Sequence, residues 1–160
     1  MKKMLFVDAD KCVACRTCEL ACSFAKTSVL DPLRSRITNF NFPGTPFRTS
    51  TTCQQCEEPA CAVICPSRAL SRDPITGAIL VDKERCVGCK MCMQVCPFGT
   101  IHLDSEERIA VKCDLCGGDP VCVKFCIPGA LQYIEVKDVV RQRGKRFVDK
   151  LRKVYQEGSL

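Results

Sequence analysis

The sequence predicts an α+β fold of short elements stapled through cysteine, and three observations carry that prediction. Sixteen of the 160 residues are cysteine, a density that marks a stapled scaffold. The apolar segments Leu5 to Val7, Ala78 to Val81, Ile101 to Leu103, Ile109 to Val111 and Leu131 to Val136 are only strand-length, far below the roughly twenty residues of a spanning helix. Finally, Lys11-Cys12-Val13-Ala14-Cys15 recurs as Arg85-Cys86-Val87-Gly88-Cys89, each after an apolar piece that ends at Asp8 or Asp82. Such internal repetition divides the chain into two similar halves.

In chain order, Leu5 to Val7 reads as a strand and Cys18 to Lys26 as a short helix. Residues 31–52 hold three prolines, Gly44 and no cysteine, and read as a connecting arm. Within the arm, Arg34 to Phe42 alternates like an edge strand before the turn Pro43-Gly44-Thr45-Pro46. Brief helices are expected between the third and fourth cysteines of each later run. Ile101 to Leu103 and Ile109 to Val111 flank the polar Asp104-Ser105-Glu106-Glu107 and form a hairpin. His102, the one histidine, is expected as a half-exposed strand residue. Leu131 to Val136 is a further strand. From Lys137 to Leu160, eight basic residues face three acidic ones. Val139, Val140, Phe147, Val148, Leu151, Val154 and Tyr155 share a helical face, giving a basic amphipathic helix at 137–160, or two short ones if Gly144 interrupts it. Its apolar face is expected to pack back on the rest of the chain; docking to a partner is the alternative.

The cysteines fall into four runs. Cys12, Cys15, Cys18 and Cys22 are spaced CxxCxxCxxxC, and Cys86, Cys89, Cys92 and Cys96 repeat this with Pro97 following. Cys53, Cys56, Cys61 and Cys65 precede Pro66 with a longer middle gap, and Cys113, Cys116, Cys122 and Cys126 widen that gap by one. Closely spaced thiolates on one loop reach several irons of a cubane, and in two-cluster ferredoxins the fourth cysteine of each run ligates the other cluster. Four runs then imply reciprocal pairs and four 4Fe-4S clusters with no thiol left over. Zinc favours two CxxC pairs a dozen or more residues apart. Disulfides need an oxidising compartment, whereas the apolar run Met4 to Val7 is shorter than the roughly seven to fifteen residues of a signal peptide. A reduced, cytoplasmic setting is the expectation.

Four clusters, each carrying about −2 with its thiolates, would take the formal charge from +6 to about −2, so the basic excess argues little for nucleic-acid binding. With a thiolate on every iron, no coordination position stays open for a substrate. No GxGxxG follows a strand, and no GxxxxGK[ST] phosphate loop occurs. Electron transfer is therefore expected rather than catalysis. A DNA-binding regulator, suggested only by the basic tail, is the remote alternative.

The residues Cys53-Gln54-Gln55-Cys56-Glu57-Glu58-Pro59-Ala60-Cys61 through Pro66, Cys86 to Gly99, and Lys112-Cys113-Asp114-Leu115-Cys116 resemble the electron-transfer subunits of the dimethyl sulfoxide reductase and formate dehydrogenase type, over roughly residues 3 to 135. The resemblance implies two bacterial-ferredoxin-like modules, an outer one (1–30 with 104–136) and one inserted in it (53–103). It also implies which runs pair. Cys12, Cys15, Cys18 and Cys126 would hold one cluster, and Cys113, Cys116, Cys122 and Cys22 its neighbour. Cys53, Cys56, Cys61 and Cys96 would hold a third, and Cys86, Cys89, Cys92 and Cys65 the fourth. The implied partner is a larger molybdenum or tungsten pterin oxidoreductase subunit, such as an aldehyde oxidoreductase or formate dehydrogenase, with a flavin- or nicotinamide-binding subunit or further copies as additional partners. A diffusing polyferredoxin, or the ferredoxin subunit of a hydrogenase or carbon monoxide dehydrogenase, is the alternative. Ser23 and Ile127 depart from the pattern where proline usually follows the fourth cysteine.

Overall fold

The apolar N-terminal segment does form a strand, and its partner lies at the far end of the cysteine-bearing region. The computed structural model describes residues 3–157; residues 1–2 of the expected outer module and 158–160 of the expected tail lie outside the described residues. Strand β1 (Lys3–Val7) pairs antiparallel with β8 (Leu131–Glu135), in register from Lys3 opposite Glu135 to Val7 opposite Leu131. Leu5 and Leu131 are buried. β1 ends at Asp8, whose N–H donates to the Ala130 carbonyl at 2.7 Å and whose carboxylate accepts the Asp10 N–H. Asp82 repeats this: its N–H reaches the Ala69 carbonyl at 2.7 Å, and its carboxylate accepts the N–H groups of Glu84 and Arg85. The repeated aspartates thus start side-chain-closed turns that feed each loop into a cysteine run.

Helix α1 (Thr17–Thr27) buries Cys18, Glu19, Cys22 and Ser23, two i, i+4 pairs on one face. Proline after Cys22 would have no N–H and would break this helix. Ser23 instead continues it, donating to the Leu20 carbonyl and accepting the Asp31 N–H. Glu19 is 2% exposed and accepts from Arg16 Nε at 2.6 Å and the Asn39 N–H at 2.7 Å. Glu19→Ala strands that partly buried amide and the Arg16 guanidinium, so a loss of about 1–3 kcal/mol is expected, read as a lower guanidinium midpoint of the iron-loaded protein. An unchanged midpoint would show that the helix and the arm do not depend on this contact.

The arm is more than a connector. β2 (Ile37–Asn41) and β3 (Arg48–Thr52) form a hairpin, and Ile37, Ser50 and Thr52 are buried. Hairpins also form from β4 (Leu70–Arg72) with β5 (Ile79–Val81), and from β6 (His102–Leu103) with β7 (Ala110–Val111). The second matches the expected hairpin; β4 is too short to stand out in the sequence. Single-turn helices α2 (Ala60–Val63), α3 (Met91–Val95) and α4 (Val121–Lys124) lie in the later runs.

Helix α5 (Val136–Glu157) is continuous through Gly144. Its first half docks: Val139 is buried, Gln142 bonds Gln132 at 3.2 Å, and Arg146 pairs with Asp8 and lies over the Phe6 ring. The expected packing of the whole apolar face is not found, because beyond Arg146 the helix runs past the strands. Phe147 is 63% and Tyr155 84% exposed.

Among the described residues, the interior comprises two apolar nuclei. One gathers Leu5, Ile37, Ala78, Leu115 and Leu131 around Cys18, Cys22 and Cys122. The other gathers Leu70, Ile79, Ile101 and Ala110 around Cys92.

Candidate metal centres

Each run owes its shape to a local backbone reversal. The residue before the second cysteine is left-handed in all four: Ala14 (φ 56°), Gln55 (φ 50°), Gly88 (φ 66°) and Leu115 (φ 56°). In the first and third runs Arg16 and Lys90, just after that cysteine, are left-handed too. Such turns point successive N–H groups into a concavity suited to an anionic centre. Three residues after the fourth cysteine, Arg68, Gly99 and Gly129 again have positive φ. The shifted proline in Cys126-Ile127-Pro128-Gly129 therefore leaves the loop path unchanged. The first run lacks this second reversal because Cys22 lies within α1.

The thiols separate between the two nuclei. Cys18, Cys22 and Cys122 are joined by Cys113 and Cys126, while Cys92 is joined by Cys61, Cys65, Cys86 and Cys96. Cys116 acts electrostatically on Cys122, and Cys89 on Cys92. At the surface end of the first run, Cys15 accepts from Thr17 Oγ1 at 3.4 Å, and Cys12 accepts from Asn39 Nδ2 at 3.6 Å. Among the described residues, no three His, Cys, Asp or Glu side chains converge where a single ion would sit. Cys53, Cys56, Cys61 and Cys96 instead line a cavity of about 90 Å³, walled by Ile79 and Ile101.

Burial pushes the Cys18 thiol up to about 11 against the opposing Ser50 hydroxyl. Burial also raises Cys122, helped by Cys113, Cys22, Cys116 and Cys18. The fourth cysteines of the second and third runs behave oppositely: burial alone would raise them, but donors from Ser67 and Ala69 hold Cys65 low, and those from Thr100 and Phe98 hold Cys96 low. N–H groups also reach sulfur from Arg36 to Cys22, Ala110 to Cys86 and Leu131 to Cys126, at 3.3, 3.4 and 3.3 Å. Such donors favour thiolate and tune a bound cluster. The arm's contribution through Asn39 and Ser50 was not anticipated; the signal available was the alternation in Ile37-Thr38-Asn39-Phe40-Asn41. His102 is half-buried in β6, and burial lowers its imidazole.

Loops of this shape carrying only thiol ligands, on a small α+β frame with a terminal helix, define an iron–sulfur protein of ferredoxin type. Residues 46–136 match the family model described as a 4Fe-4S dicluster domain. Escherichia coli (strain K12) YsaA, named for electron transport, is 38% identical over 157 residues, covering 89% of this chain and 96% of YsaA. The polyferredoxin-like subunit of an aliphatic sulfonate oxidoreductase from Pyrococcus furiosus is 40% identical over 123 residues, 76% of this chain and 70% of that one. Electron transport protein HydN of Escherichia coli (strain K12) is 34% identical over 154 residues, with 82% of this chain and 87% of HydN covered. The chain belongs to the 4Fe-4S dicluster family of electron-transfer subunits. Its sixteen cysteines fit four 4Fe-4S clusters, and its role is electron transfer, not turnover of a substrate. Among the described residues, no helix is long and apolar enough to cross a membrane.

Proposed function

We propose that the chain relays single electrons to or from a larger catalytic oxidoreductase subunit bearing a molybdenum or tungsten pterin. The observation that carries this is that the sixteen cysteines fall in four runs, each with a left-handed residue before its second cysteine, and that ten of them gather at two apolar nuclei. When bound, each cluster accepts and releases one electron.

The first and fourth runs form one reciprocal pair in this reading, with ligand sets Cys12, Cys15, Cys18, Cys126 and Cys113, Cys116, Cys122, Cys22. The second and third form the other, with Cys53, Cys56, Cys61, Cys96 and Cys86, Cys89, Cys92, Cys65. What supports this is the division of the thiols between the nuclei, and the cavity shared by three second-run cysteines and Cys96. The pairing of β1 with β8 supports an outer module (1–30 with 104–136) closed around an inserted one (53–103), with the arm packed against the first run. The protein's part is to hold the thiolates, exclude water with Leu5, Leu115, Ile79 and Ile101, and supply the N–H donors to sulfur.

Exposed apolar surface favours a subunit over a freely diffusing carrier. Phe40, Phe42 and Phe47 form an exposed group with centroids 6.5 and 5.7 Å apart, and α5 exposes Phe147, Val148 and Leu151. Anaerobic purification from the native host, with iron counting and mass spectrometry, tests the reading. The expected result is about sixteen irons per chain, four per cubane, with a large metal-pterin chain attached. Full iron with nothing attached would favour the free polyferredoxin, and markedly less iron would refute four clusters.

A further inference from the structure

Lys112 is 3% exposed, the burial of a core leucine rather than of a cation. Its ammonium donates to the Ile79 carbonyl, to the Cys113 carbonyl at 3.3 Å and to Gln55 Oε1 at 3.4 Å. All three acceptors are uncharged. The adjacent carboxylate, Asp114, is engaged by Lys26 at 2.8 Å and Arg36 at 3.1 Å, and among the described residues no carboxylate pairs with Lys112. A buried cation without a counter-charge is costly, so an anion nearby has to offset it.

The surroundings identify that anion. Gln55 stands between Cys53 and Cys56 in the second run; its Nε2 donates to the Cys113 carbonyl at 2.8 Å, tying that run to the fourth. Ile79, whose carbonyl accepts from Lys112, lines the cavity shared by Cys53, Cys56, Cys61 and Cys96. Lys112 therefore sits at the junction of the two nuclei, beside second-run and fourth-run thiols.

We propose that Lys112 is a potential-setting residue, a buried counter-cation shared by the second-run and fourth-run clusters that favours the reduced state of both. The step is a one-electron reduction in which no bond forms or breaks; the electron comes from the redox partner, and the fixed ammonium stabilises the added negative charge. This rests on the ligand sets proposed above.

The test is a mediator-poised dithionite titration of the iron-loaded protein, followed by EPR, on wild type, Lys112→Met and Gln55→Glu. Methionine keeps most of the side-chain length without the charge, and Gln55→Glu sets a carboxylate beside the ammonium at the cost of the amide's bond to the Cys113 carbonyl. At equal iron content, two of the four potentials are expected to fall in each variant. At a fixed potential the oxidised-to-reduced ratio of those two should change at least tenfold, ~59 mV for one electron, with the other two unmoved. If Lys112→Met loses iron, Gln55→Glu carries the comparison. Potentials that stay put, or four that move together, at full iron content would overturn the proposal while leaving the four-cluster reading intact.

Discussion

Gly88→Ala is expected to empty the third-run site, lowering iron from about sixteen to about twelve per chain, one cubane's worth. Gly88 has φ +66°, and a Cβ there would lie 2.2 Å from the Arg108 carbonyl oxygen. The backbone conformation alone is not prohibitive, because Ala14 holds φ 56° at the equivalent place in the first run. The carbonyl is what excludes a side chain. It cannot easily retreat, since the Arg108 N–H is bonded to the Asp104 carbonyl at 3.0 Å and the Ala110 N–H to Cys86 Sγ at 3.4 Å. A clash with backbone added to left-handed strain costs on the order of 3–5 kcal/mol, enough to displace the loop bearing Cys86 and Cys89. Gly44→Ala is the control: φ is +81°, nothing lies within 4 Å, and a penalty of about 1–2 kcal/mol is expected with iron content unchanged. Full iron in Gly88→Ala would mean that the β6–β7 turn yields more readily than its hydrogen bonds imply.

Stripping the iron with a chelator and reductant is expected to unfold the chain, with loss of most far-UV ellipticity. The two nuclei contain eight and five buried residues, and four of the thirteen are cysteines. Among the described residues, every hairpin has strands of five residues or fewer, and isolated two-stranded hairpins are marginal in water. Structural metal binding supplies roughly 10–16 kcal/mol in small metal-stapled domains, comparable to the whole stability of a typical domain, about 5–15 kcal/mol. Without it, the burial-raised thiols of Cys18 and Cys122 have no cluster to bind, and α5 loses the β1–β8 surface on which its first half rests. A stripped protein that kept its ellipticity and a cooperative melt would show that the apolar nuclei suffice.

Much of this was legible because it depends on local chemistry. Asp8 and Asp82 were recognisable as equivalent, since an aspartate that closes a turn on its own following N–H groups needs no distant partner. The hairpin around Asp104 followed for the same reason, its carboxylate accepting the Glu106 and Glu107 N–H groups at 2.9 Å each. The arm was less legible. Asn39 reads as an ordinary polar residue of the edge strand and Ser50 as part of the connecting arm, and only the folded hairpin brings Asn39 to Cys12 and Ser50 to Cys18. The apolar face of α5 was visible as a pattern, but whether it is covered depends on where β1 and β8 end.

The sequence by itself determined the ligand type, the four-run grouping and the class of chemistry, because cubane ligation is written in spacings of two to five residues that any fold must respect. Only the tertiary structure decided that Lys112 is buried without a carboxylate and that Gln55 ties the second run to the fourth. These depend on contacts across 57 and 58 residues of chain, and a lysine's burial is set by what the rest of the molecule places around it rather than by its neighbours in sequence.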